Sequence, residues 1–69
     1  MTAIQVVRDA CQKGEKQRAL DAHQMLLNKA NHFAQTQNHQ AAYEAGAELF
    51  EGASLLQCLG VEVAKFPTV

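Results

Sequence analysis

Ala42, Ala45, Leu49, Gly52, Leu56, Leu59 and Val63 recur at steps of three and four along the second half of the chain. That spacing holds apolar side chains on one stripe of a helix, the pattern by which one helix packs along another. The stripe is small. Ala42, Ala45 and Gly52, with Gly46 and Ala53 beside it, admit a neighbouring backbone at close range. A chain carrying such a stripe is built for helix contacts, although the stripe itself names neither partner nor reaction.

Size then sets the difficulty. At 69 residues the chain makes one small domain, and a chain this short buries only about 60% of the surface its unfolded form exposes. Small domains gain support from disulfides, from a metal, or from a second copy of themselves. Cys11 and Cys58 follow no secretory signal pattern, since Arg8 and Asp9 interrupt the first dozen residues where an apolar run is needed. Two reduced thiols in a cytoplasmic protein are therefore expected, and the sequence leaves open whether the two meet in space. Self-association is the remaining support.

The net charge is -1, with no block of like charges. The basic residues Arg8, Lys13, Lys16 and Arg18 lie in the first half, whereas Glu44, Glu48 and Glu51 gather in the second. A free-standing nucleic-acid binder needs a basic face, because phosphate contacts supply most of its affinity. No apolar run approaches the roughly 18 residues of a membrane span, so a soluble protein is expected.

Local signals divide the chain into three helices. Thr2 and Gln5 have the capping-box spacing, and Lys13-Gly14 supplies a stop, which places a first helix at about 3–13. From Glu15 a broad stripe of Ala19, Leu20, Ala22, His23, Leu26, Leu27, Ala30, Phe33 and Ala34 predicts a second helix over about 15–36. Asn38 or Thr36 can cap a third, running over about 39–59. Gly60 ends it, and Val61 is placed to fold back on Leu56 in a Schellman turn.

The second and third helices have similar lengths, roughly 30 Å each, and a short polar turn joins them. An antiparallel hairpin follows, with Phe33 opposite Ala42, Leu26 opposite Leu49, and Ala22 or His23 opposite Gly52 and Ala53. The first helix is half as long and covers only part of that hairpin. Residues 1–60 thus read as one all-α domain, a short N-terminal helix plus a long hairpin, completing a helical bundle by dimerisation. The tail, 61–69, cannot remain helical through Pro67; Phe66 and Val69 are apolar enough to dock.

Catalytic chemistry finds little to build on. His23, His32 and His39 lack the i, i+3 or i, i+4 spacing that puts two ligands on one helical turn, so no metal or other cofactor is expected. Ser54 is the sole serine and falls within the third helix, away from any signal for an activating base. The two cysteines lie on or beside apolar stripes, where a thiol behaves as a small hydrophobe. His23 stands apart because it shares its stripe with Leu20, Leu27 and Ala30, leaning toward the small residues Gly52 and Ala53.

Two family patterns come close and fail. Leu26, Ala30, Phe33 and Ala42 fit four positions of a tetratricopeptide repeat, but Gly46 and Leu49 stand where that pattern has an aromatic and an alanine. A lone repeat also cannot bury its own faces. The segment from Ala53 to Val61 resembles the first helix and turn of a helix-turn-helix. Its recognition helix would then be Glu62 to Val69, which is short and broken by Pro67. The chain is assigned to neither family.

The reading that remains is a non-enzymatic protein–protein interaction module, an adaptor, regulator or inhibitor, forming a homodimer through helix packing. Ala42, Ala45, Leu49, Gly52, Leu56 and Leu59 are the expected self-association residues. Glu44, Glu48 and Glu51 are candidates for a polar contact with a protein partner. Two alternatives accompany it: a nucleic-acid-binding regulator using the basic first half, and a binder of a small apolar ligand between helices near His23.

Overall fold

Each helix in this protein is bounded by side-chain and backbone devices that span a few residues. The structure is a computed structural model and describes residues 1–68, so Val69 and its expected docking lie outside the described residues. The helices are α1 (Ala3–Gln12), α2 (Lys16–Gln35) and α3 (His39–Cys58), and among the described residues there is no strand. The sequence-based limits differ from these mainly in counting the cap residues Lys13, Glu15, Thr36 and Leu59 as helical.

At the start of α1 the Gln5 amide donates to Thr2 Oγ1 and the Thr2 amide donates to Gln5 Oε1, forming the capping box. Asn38, not Thr36, caps α3, its Oδ1 accepting from the Ala41 amide at 3.3 Å. Glu15 precedes α2 without capping it; its carboxylate turns to Arg18 instead.

All three helices end in the same way. The Glu15, Asn38 and Val61 amides reach back to the carbonyls of Ala10, Phe33 and Leu56, at 2.8, 3.2 and 3.0 Å. These are Schellman closures, which require a left-handed residue just before the returning amide. Gly14 and Gly60 fill that position at φ 71° and 80°. After α2 the residue is Gln37 at φ 57°, a conformation that costs a side-chain-bearing residue roughly 1–2 kcal/mol.

The apolar stripes then pack. Ile4 and Val7 of α1, Ala22, Leu26 and Ala30 of α2, and Ala45 and Leu49 of α3 form the main core cluster. A second cluster holds Ala10, Ala19 and Leu56. The molecule is compact, with a radius of gyration of 11.3 Å.

The tail completes the second cluster. Val61 and Val63 pack against it, and the Ala64 carbonyl oxygen lies 2.9 Å from His23 Nε2. Farther along, the Thr68 amide donates to Asn31 Oδ1 at 2.8 Å and Asn31 Nδ2 donates to Thr68 Oγ1 at 3.1 Å. The Phe66 ring lies 6.1 Å from that of Phe50. Through Thr68 the segment is therefore a strap on the helices. The groove expected to need a second copy is covered at this end by the chain's own C-terminal residues.

Candidate functional site

The small stripe of α3 is an interior feature of the single chain. Leu49 and Leu56 are fully buried, and Ala45, Gly52 and Ala53 are buried beside them, facing α1, α2 and the strap. Of the six residues expected to mediate self-contact, only Ala42 and Leu59 keep partial exposure. A second copy would have to displace α1, α2 or the strap to reach the rest. The sequence-based reading expected α1 to cover only part of the groove and a second copy to cover the rest; within the single chain α1 and α2 pack on Ala45 and Leu49, and Val61 and Val63 of the strap pack against the cluster of Leu56.

His23 sits at the centre of that interior. It is the one buried polar side chain among the described residues, at 3% exposure. Ala64 offers a carbonyl oxygen, which only accepts, so the imidazole proton belongs on Nε2. Nδ1 is buried without a hydrogen-bond partner and faces Gly52. A Cβ built on Gly52 would stand 2.8 Å from Nδ1 and 3.2 Å from Leu26 Cδ1. The space that the sequence suggested for an apolar ligand is thus filled by the His23 ring itself. Gly46, which the sequence reading set beside the small stripe, lies on the outer side of α3, where a Cβ would meet nothing within 4 Å.

Two of the three acids pair with basic neighbours at the surface. Glu51 takes both Nε and Nη2 of Arg8, the latter at 2.9 Å, and Glu48 lies 3.7 Å from Lys29 Nζ. The Arg8 hydrogen bond holds the Glu51 carboxyl below its ordinary range. Glu44 is exposed and makes no ion pair among the described residues, so it alone of the three remains available for an outside contact.

The basic first half is similarly engaged. Arg18 pairs with Asp9 at 2.7 Å and with Glu15 at 3.1 Å, and Lys13 reaches Asp9 at 3.2 Å. Hydrogen bonds from Arg18, then Lys13, hold Asp9 below its ordinary pKa. Of Arg8, Lys13, Lys16 and Arg18, only Lys16 has no acidic partner among the described residues. A phosphate backbone would compete with three intramolecular acids for this patch.

Ser54 Oγ donates to the Phe50 carbonyl oxygen at 3.0 Å, a back-bond of the helix itself. Among the described residues, no three His, Cys, Asp or Glu side chains converge on a metal position. No helix among the described residues is long and apolar enough to cross a membrane.

What the sequence reading missed is the outer face of α3. Tyr43 is 80% exposed, Phe50 48% and Phe66 67%. Tyr43 and Phe50 are seven residues apart, two turns of helix, and the small residues Gly46 and Ala47 lie between them. With Ala42, Phe66 and Pro67 they line one shallow apolar groove. The signal was legible as an i, i+7 aromatic pair. It was overlooked because the parallel stripe through Leu49 is stronger and the contribution of Phe66 comes from a segment with no periodicity.

No protein-family model matches the chain, and neither curated proteins nor solved structures give a significant match.

Proposed function

We propose that this protein is a small non-enzymatic protein–protein interaction module whose docking surface is the outer face of α3. In this reading α2 and α3 form an antiparallel hairpin that α1 and the C-terminal strap close from two sides. The observation that carries the proposal is the groove between Tyr43, Phe50 and Phe66, open to solvent beside a core that the chain covers for itself. Full burial of a Phe side chain is worth about 1.5–3 kcal/mol, so a contact that buries several exposed aromatics together gains from each of them.

The first occupant to expect is a second copy. An isologous contact needs a patch complementary to itself, and this one is arranged for that. Tyr43 lies three residues before Gly46 and Phe50 three residues after Ala47. Two α3 helices crossing antiparallel at Gly46–Ala47 would approach closely at the small residues. Tyr43 of each copy would then meet Phe50 of the other, an aromatic pairing worth about 0.5–1.5 kcal/mol beyond area alone. Glu44 lies at the rim of such a contact.

Light scattering over a wide concentration range tests the proposal. The wild-type chain is expected to shift toward twice its monomer mass as concentration rises, and Gly46→Arg to remain monomeric, with an unfolding midpoint no lower than that of wild type at concentrations where both are monomers. A wild-type chain that stays monomeric throughout would remove self-pairing. A dimer indifferent to Gly46→Arg would move the interface to another face.

A further inference from the structure

The groove between α1 and α3 carries the molecule's two thiols. Cys11 lies in the last turn of α1 and Cys58 is the last residue of α3; both line this groove together with Leu55 and Leu59. Arg8 and Glu51 pair across the same groove, so α1 and α3 are already tied together here. The two cysteines differ in access, Cys11 being half-buried and Cys58 exposed. Burial raises the Cys11 pKa, and charge on Cys58 raises it further, so each thiol lies within the other's electrostatic reach.

We propose that Cys11 and Cys58 are an oxidisable pair that closes into an intramolecular disulfide across the α1–α3 groove, with a low-molecular-weight disulfide as oxidant. Cys58 reacts first because it is the accessible thiol. Its thiolate attacks one sulfur of the reagent, the reagent's S–S bond breaks, and one half leaves as a thiolate that takes up a proton. Cys11 then gives its proton to solvent and attacks Cys58 Sγ, expelling the second half. Two protein thiols are oxidised and one small disulfide is reduced to two thiols. The bridge joins the first helix to the last, closing most of the chain into a loop and restricting the unfolded state accordingly.

The experiment treats the folded full-length protein with oxidised glutathione and follows intact mass and free thiols. Wild type is expected to lose both thiols and two hydrogens of mass, with only a transient glutathione adduct. Its unfolding midpoint rises by roughly 10 °C or more. Cys11→Ser stops at a stable adduct on Cys58. In wild type the adduct is resolved at least about tenfold faster in buffer than in concentrated urea, because the fold holds Cys11 close. A persistent adduct on wild type, a disulfide-linked dimer, or equal resolution rates in buffer and urea would each overturn the proposal.

Discussion

Gly46 and Gly52 lie six residues apart on one helix, yet they stand in opposite surroundings. A side chain at Gly52 would run into the His23 ring at 2.8 Å, whereas one at Gly46 would meet nothing within 4 Å. The two glycines mark the two faces of α3. The inner face, through Ala45, Leu49, Gly52 and Leu56, is roofed by α1, α2 and the strap. The outer face repeats the same mixture of small and large residues, with Tyr43, Gly46, Ala47 and Phe50, and is met only at its edge by Phe66 and Pro67 of the strap. Smallness alone therefore does not mark an interface. What separates the faces is how much of each the chain's own elements cover.

Alanine at each glycine tests this contrast most directly. Gly52→Ala is expected to lose about 1–2 kcal/mol in urea unfolding, because crowding against His23 and Leu26 outweighs the gain in helix propensity. Gly46→Ala, measured at concentrations where the chain is monomeric, should gain about 0.5–1 kcal/mol, since only the propensity term acts there. If both gained stability, the His23 ring would be free to move and the inner face would be looser than described. A site away from both faces gives a yardstick. Gln37→Gly, relieving the left-handed residue after α2, should add about 0.5–1 kcal/mol.

The smallest effect concerns the ion pairs that flank the buried face. Asp9 is held below its ordinary pKa by Arg18 and Lys13. A carboxyl group lowered in the folded state contributes stability that is fully present above its unfolded value and is lost as pH falls through the folded one. Stability should therefore decline on acidification below about pH 4, and Asp9→Asn should flatten that decline without altering the neutral-pH core. An unchanged acid limb in Asp9→Asn would assign the decline elsewhere, with Glu51 beside Arg8 the next group to test.

The sequence determined the helices and their ends. Thr2 with Gln5, Asn38 with Ala41, and Gly60 with Val61 act over a few residues, so their effects could be read without knowing where the rest of the chain goes. Even the pairing of His23 with Gly52 was legible, because two helices of similar length joined by a short turn leave few registers open. Tertiary structure alone decided which stripe of α3 is inside, that residues of the strap form part of its cover, and that Glu48 and Glu51 pair with Lys29 and Arg8 at the surface. The hydrogen bonds among those outcomes join residues 37, 41 and 43 apart in the chain, and pairing at such separation depends on which apolar faces compete for the same neighbours, a property of the whole fold and of no local segment.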